Sequence, residues 1–291
     1  MDLYAQSLSH VSEIEQAAKL LGNIHSAIAF TGAGLSTSSG IPDFRSPGTG
    51  LWARMEASLE EEPFDGMVHS FARDPQKFYE RMRPLFQTIL AAEPNTAHYA
   101  LADMEKIRAI HAVITQNADM LHQRAGSRRV IEVHGTLAEA TCIHCYKVFP
   151  YRPLLERFFA DGQVPTCNDC GGVLKPNVIL TGEELPAKAV LAARQAIRQC
   201  DVLLAAGTSL AGGPATALAE AAHAQGTKLI IVNLTPTLMD TVADVVIRAD
   251  VVTALPAIAS ILFKERGAPV SASPRSVGAI DGNAECDFDS C

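Results

Sequence analysis

The chain reads as an α/β protein built on a mostly parallel sheet with helices on both faces. Short apolar runs recur at 25–31, 110–115, 130–133, 177–180, 201–206, 228–233 and 244–248. They are near-continuous Val, Ile, Leu and Ala rather than alternating, as strands buried on both sides require. Helix-like stretches at 187–199, 213–225 and 253–264 separate several of them, and strands alternating with helices imply parallel pairing.

The elements follow in order. Leu8, Val11, Ile14 and Leu21 recur at roughly helical spacing and predict a helix over 7–21. The strand Ser26–Phe30 then runs into Thr31-Gly-Ala-Gly-Leu-Ser-Thr-Ser-Ser-Gly-Ile-Pro-Asp-Phe-Arg45. Residues 46–105 carry no strand signal; Phe78, Met82, Phe86 and Ile89 mark one apolar helix face, with Pro84 a kink. Asn95 is placed to cap a further helix. Residues 141–173 hold two cysteine pairs. Both segments read as insertions into the α/β framework that together form a small second domain. Residues 266–291, rich in Gly, Ala, Ser, Pro and Asp, read as a disordered tail.

Bulk properties narrow the function. A length of 291 residues suits one large domain or two smaller ones, and 48% apolar residues supply a sizeable core. No apolar run approaches the roughly 20 residues of a membrane helix. The N-terminus lacks a basic region followed by an apolar stretch, so a cytoplasmic location is expected rather than secretion. The net charge of −8 argues against nucleic-acid binding and favours basic partners such as lysine-rich segments. Seven cysteines, an odd number, point to a reducing compartment.

Several motifs carry chemistry. Gly32 and Gly34 lack a Cβ, so a dinucleotide phosphate could approach the backbone closely. The third glycine position of the usual dinucleotide fingerprint is Thr37. Cys142-x-x-Cys145 and Cys167-x-x-Cys170, separated by 21 residues, have the spacing of a Cys₄ zinc site. Four thiolates leave no open position, so that metal is structural; two redox-active pairs are the alternative reading. Gln116, Asn117 and Asp119 cluster where the strand ending at Thr115 stops. In open α/β sheets ligands bind at such carboxyl ends, although Asn117 or Asp119 could instead cap a helix. His134, at another strand end before Gly135, is a candidate base near neutral pH; a lone His is more often structural. Gly207-Thr208-Ser209 offers hydroxyls and N–H groups to a pyrophosphate, and Asn233 a ribose contact.

Taken together, these segments resemble the sirtuins, NAD-dependent protein-lysine deacylases. The match covers roughly residues 10–260, with Gly32-Ala-Gly34, Gly40-Ile-Pro-Asp-Phe-Arg45, Thr115-Gln-Asn-x-Asp119, His134-Gly135, the cysteine pairs, Gly182-Glu183, Gly207-Thr-Ser209 and Val232-Asn233 in the family's order. The resemblance implies a catalytic domain over 1–265. Its large Rossmann-like part lies at 1–45, 106–140 and 174–265, its helical module at 46–105 and its Cys₄ zinc ribbon at 141–173. It implies NAD as co-substrate, one structural Zn²⁺, and acylated lysine peptides or proteins as partners. Ala33, Gly34, Thr208 and Ser209 would receive the phosphates, beside Gly32 and Gly207. Asp43, Phe44 and Arg45 would cover NAD and help break it. Asn117, counted with His134 as catalytic, and Asp119 would bind the nicotinamide carboxamide or orient groups beside it, with Gln116 at its ribose, Asn233 at the other ribose, and Asp250 and Val251 by the adenine.

The implied reaction releases nicotinamide, lets the acyl-lysine oxygen attack C1′ of the ribose, and uses His134 as general base to give O-acyl-ADP-ribose. The acyl group is expected to be acetyl, on a peptide added as a strand against 177–183. ADP-ribosyl transfer to protein, or a preference for longer or acidic acyl groups, are the alternatives; the base His134 favours deacylation. Ala118 stands where the family has Ile, Met120 where it has Gly, and Thr181 where it has Phe. Ala118 should weaken nicotinamide inhibition. Members that prefer acidic acyl groups carry Tyr and, three residues on, Arg; here Tyr79 is followed by Met82, with Arg83 one further.

Overall fold

The computed structural model describes residues 10–43 and 67–266. Phe44, Arg45, the start of the helical insertion and the expected tail from 267 onward lie outside the described residues.

Nine strands and nine α-helices follow in chain order among the described residues. They are α1 (Val11–Gly22), β1 (Ala27–Thr31), α2 (Met67–Arg73), α3 (Pro75–Ala91), α4 (Thr96–Lys106), β2 (Ala112–Thr115), α5 (Leu121–Arg124) and β3 (Val130–Glu132). Next come β4 (Gly135–Cys142), β5 (Val148–Pro150), α6 (Tyr151–Asp161), β6 (Leu174–Val178), α7 (Ala187–Arg198) and β7 (Val202–Ala206). The chain closes with α8 (Thr216–Ala224), β8 (Lys228–Val232), β9 (Val245–Ile247) and α9 (Val251–Glu265).

Six strands form the expected parallel sheet, in the order β3-β2-β1-β7-β8-β9. Successive residues of a strand serve opposite faces. Ala27 and Ala29 of β1, with Leu204 of β7 and Ile230 of β8, pack under α1, α4 and α9. Ile28, Phe30, Leu203 and Ile231 pack under α7 and α8. Both faces are therefore covered, which explains the continuous apolar runs.

The run at 177–180 departs from the sequence expectation. It does not join the parallel sheet but ends β6, which pairs antiparallel with β4 in a separate sheet of order β5-β4-β6. This small sheet runs from Gly135 to Val178, wider than the 141–173 segment. Its core is shared with α2 and α3: Phe71, Phe78 and Phe86 pack with Leu137, Tyr151, Phe158 and Leu174. Helix α4 belongs instead to the main sheet's core through Leu101 and Met104. Asn95 caps α4 as expected, accepting from the backbone N–H of Ala97 and His98, while His98 Nδ1 accepts from the Asn95 N–H. No helix among the described residues is long and apolar enough to cross a membrane.

Candidate active site

The strand register brings the expected site residues together. Thr31 lies level with Thr115 on one side and Ala206 on the other, and Ala206 is level with Val232. The next residues along, Gly32, Gln116, Gly207 and Asn233, therefore leave the sheet side by side. Strand order reverses between β1 and β7, the position at which an open α/β sheet leaves a crevice. That cleft is lined by Gly32, Ala33, Gly34, Asp43, Gln116, Asn117, His134, Gly207, Thr208, Ser209 and Asn233. An adjoining cavity adds Asp250 and Val251, at the start of α9.

The glycines have a second reason to be there. A Cβ on Gly34 would lie 2.9 Å from the Gly207 carbonyl oxygen, and one on Gly32 would lie 2.8 Å from Thr208 Cβ. Gly34 N–H also donates to Gly207 O at 2.8 Å. The Gly-Ala-Gly turn thus interlocks with the end of β7, and the Gly34 amide is engaged there rather than offered to a phosphate.

Side chains at the end of β2 form a buried polar group with the first turn. Asn117 Nδ2 donates to Gly32 O and to Ser36 Oγ, each at 3.1 Å, so its Oδ1 is what it can offer a ligand. Ser36 Oγ donates to Asp119 Oδ2 at 2.6 Å. Asp119 Oδ1 accepts from Leu121 N–H at 3.0 Å, so the carboxylate also caps α5. Burial pushes the Asp119 pKa up, against the pull of the Ser36 hydroxyl. Each carboxylate oxygen has one further lone pair for an incoming N–H. Gln116 Nε2 donates to Thr208 Oγ1 at 3.0 Å, tying the two strand ends together.

His134 sits between β3 and β4 and lines the cleft. Its Nδ1 lies 2.9 Å from the Gln116 carbonyl oxygen. A carbonyl only accepts, so Nδ1 carries the proton and Nε2 is left as a bare lone pair. Burial lowers the imidazole pKa, against the bond to Gln116, which favours the charged form. The backbone holds the ring's position: His134 O accepts from Ile179 N–H at 2.8 Å. Gly135 has φ +76°, and a Cβ there would collide with Asn177 of β6.

The four cysteines also converge. Their sulfurs lie within 4.8 Å of one another, with Cys142–Cys170 at 3.5 Å and Cys145–Cys167 at 3.6 Å. Tetrahedral Zn–S bonds of about 2.3 Å place sulfurs about 3.8 Å apart. The donor set and spacing fit one closed Zn²⁺ site. His144 donates its backbone N–H to Cys142 Sγ at 3.4 Å, and its residue is exposed.

Comparison with known proteins agrees with this geometry. A family model described as the Sir2 family matches residues 32–214. The chain is 42% identical over 246 residues to an NAD-dependent protein deacetylase of Sulfurisphaera tokodaii, covering 84% of this chain and 94% of that protein. The chain belongs to the Sir2 family. It is likewise 41% identical over 247 residues to an NAD-dependent protein deacylase of Archaeoglobus fulgidus, covering 84% and 94%. Among solved structures, a Sir2–p53 peptide–NAD⁺ complex matches with a TM-score of 0.74 at 36% identity, covering 87% of this chain and 98% of that one. A Sir2 protein bound to a propionylated peptide matches at 0.73 and 35%, with the same coverage.

This Sir2-family chain has its own features around the cleft. An apolar chamber opens beside Asn117 and His134, walled by Phe78, Met82, Leu85, Phe86 and Ile89 of α3, and by Leu137, Val178 and Leu180. Ala118 and Asp119 line its other end. Met82 faces the chamber, but Tyr79 and Arg83 do not line it. Tyr79 is fully buried and its hydroxyl donates to Leu174 O at 2.7 Å. Arg83 donates to the carbonyls of Phe158 and Phe159. Met120 takes the left-handed conformation, φ +64°, which costs a side-chain-bearing residue about 1–2 kcal/mol.

Two contributors escaped the sequence reading. Ser36, a small hydroxyl within a polar turn, joins Asn117 to Asp119. Arg248 fixes the loop after β8 through Thr235 O at 2.6 Å and Asp240 Oδ2 at 2.5 Å, beside Asn233. Nothing marked Ser36 in isolation, since its partners Asn117 and Asp119 lie more than 80 residues away.

Proposed function

We propose that this chain removes acyl groups from lysine side chains of proteins, consuming NAD and releasing nicotinamide and O-acyl-ADP-ribose. Family membership supports the NAD-dependent chemistry. The single observation that carries the mechanism is His134, a neutral imidazole with its protonated Nδ1 on Gln116 O and its Nε2 lone pair available beside Asn117.

Bound NAD supplies the C1′–nicotinamide bond whose cleavage drives the transfer. Asn117 Oδ1 and Asp119 hold the nicotinamide carboxamide in a water-poor corner. Gln116 orients the adjacent ribose, and the Thr208 and Ser209 hydroxyls with the Ala33 backbone hold the diphosphate. Asn233 and Val251 hold the adenosine end, with Asp43 above the cleft. With the acyl-lysine oxygen bonded to C1′ in place of nicotinamide, His134 Nε2 would take a proton from a ribose hydroxyl, whose oxygen would then add to the acyl carbon, and water added at that carbon would release free lysine. Cys142, Cys145, Cys167 and Cys170 hold one structural Zn²⁺.

The acylated segment adds as a strand against 177–183. β6 pairs with β4 on one side; on its other edge the Leu174 N–H donates to Pro165 O and Lys175 Nζ donates to Pro176 O and Val178 O, so a peptide pairs toward the 177–183 end. Backbone pairing of this kind gives affinity with little demand on sequence. Lys175 and Glu183, paired at 3.0 Å, brace the segment between them. The acyl group lies in the apolar chamber, which favours acetyl and other uncharged chains. The odd cysteine count, with four of the seven read as zinc ligands, supports a reducing, cytoplasmic setting.

The test is nicotinamide release measured with and without an acetylated peptide. Release that depends on the peptide, together with O-acetyl-ADP-ribose, is expected. Release unaffected by the peptide, or ADP-ribose found on protein, would overturn the reading. His134→Ala should abolish deacylation while retaining nicotinamide release.

A further inference from the structure

Behind the nicotinamide corner lie two histidines that the chemistry above does not use. His98 is 0% exposed and His122 1% exposed. Their rings meet edge to face, centroids 5.1 Å apart. Burial lowers the His98 pKa to about 4. Burial and the neighbouring His98 hold His122 well below its usual range. Both are therefore neutral. His98 Nε2 and His122 Nδ1 are buried without a hydrogen-bond partner. Such burial carries a cost that two apolar side chains would avoid, so the bonded ends of these rings need an explanation.

Those bonded ends lead to the site from two directions. His122 Nε2 lies 2.9 Å from Thr31 Oγ1, which donates to Thr115 Oγ1 at 2.9 Å. With the Thr31 proton engaged there, His122 donates through Nε2–H. Thr115 Oγ1 in turn accepts the backbone N–H of Asn117 at 3.1 Å. In the other direction, His98 Nδ1 accepts from the Asn95 N–H. Asn95 Nδ2 donates to Leu35 O at 2.8 Å and to Ser39 Oγ at 3.1 Å. Leu35 is followed by Ser36, which holds both Asn117 and Asp119. The chain of contacts closes on itself, and the His98–His122 contact is the one link in it that is not a hydrogen bond or the backbone.

We infer that His122, braced by His98, is a positioning residue that fixes Asn117 and the Ser36 turn for the nicotinamide end of NAD. A buried polar ring of this kind specifies one arrangement when all its bonded members are in place. Removing the His122 bond frees the β1 and β2 ends to shift relative to each other at the point where the carboxamide is held. The inference rests on the NAD reading above.

The test compares His122→Phe, His122→Gln and Thr31→Val by steady-state kinetics on an acetylated peptide, with NAD binding by the wild type checked by calorimetry. Phe keeps the ring without the donor, Gln restores an N–H at the Nε2 position, and Val removes the Thr31 hydroxyl at equal volume. Phe and Val should each raise KM for NAD and the nicotinamide inhibition constant about tenfold. The peptide KM and kcat should change less than about threefold, and Gln should recover most of the loss. Wild-type values in both Phe and Val variants, a parallel rise in peptide KM, or a Gln variant folded but as impaired as Phe would each overturn the inference. If Phe fails to fold, Thr31→Val decides alone. Absence of NAD binding by the wild type would instead overturn the NAD reading itself.

Discussion

Arg83 lies over the ring of Phe158, its guanidinium carbon 4.6 Å from the centroid, and donates to the Phe158 carbonyl at 3.0 Å. A guanidinium so engaged ties α3 to α6 and does not line the apolar chamber. Tyr79, on the same helix, is fully buried and its hydroxyl donates to Leu174 O. The α3 wall of the chamber is Phe78, Met82, Leu85, Phe86 and Ile89, all apolar.

The acyl preference follows. A succinyl or malonyl carboxylate would enter an apolar chamber without a cationic partner among its described lining residues, a costly burial. In a side-by-side assay, kcat/KM for acetyl and butyryl peptides should exceed that for the succinyl peptide by more than about tenfold. Dominant desuccinylation would contradict this geometry.

Ala118 lines the same chamber next to Asp119 and Ile41. Restoring Ile adds three carbons to the wall, and each buried methylene is worth about 0.8 kcal/mol. Partial use of that contact should tighten nicotinamide inhibition about tenfold in Ala118→Ile. An unchanged inhibition constant would show that residue 118 does not touch the ligand.

Metal removal should divide the two halves of the molecule. The cysteine cluster anchors a small sheet whose core is also the core of α2 and α3, whereas the main sheet has cores of its own. Stripping Zn²⁺ with a strong chelator should abolish peptide deacylation and lower the melting temperature. NAD binding, followed by calorimetry, should weaken far less. Full activity of metal-free protein would rule out the structural assignment.

Glu132 supplies a pH signature. Burial, reinforced by the charges of Asp119 and Glu139, raises its pKa to about 7 against the hydrogen bonds from Gln123 and Thr136. A carboxyl whose folded pKa is raised takes up a proton on folding. Its stabilising contribution is complete below the unfolded value of 4.5 and is lost as pH rises through about 7. Glu132→Gln should therefore raise the melting temperature at pH 8 more than at pH 5. An equal shift at both would refute the assignment.

The half of the site that sequence made legible is the half set by strand ends. A parallel sheet places the residues after each strand on one edge, so Gly32, Gln116, Gly207 and Asn233 could be grouped before any coordinates. His134 fitted the same logic, one residue beyond Val133. The antiparallel sheet was less visible. β4 mixes buried Leu137, Ala140 and Cys142 with exposed Glu139 and breaks register between Gly135 and Ala140, so it showed no clean alternation. The apolar end of β6 then resembled a parallel strand. The orientation of Arg83 was also out of reach, because a neighbour on a helical wheel can lean either way and the aromatic floor of α6 decides it. The turn glycines stood out in the sequence, but their packing partners Gly207 and Thr208, just after β7, lie some 170 residues away and left no local trace.

The contact between Gly34 and Gly207 has a consequence for how such a site can change over time. Each side chain is excluded by the other strand's backbone, so no complementary substitution at the second position can rescue the first. The two turns are heritable only as a pair, and a transplant of either into another scaffold would arrive without the surface that shapes it.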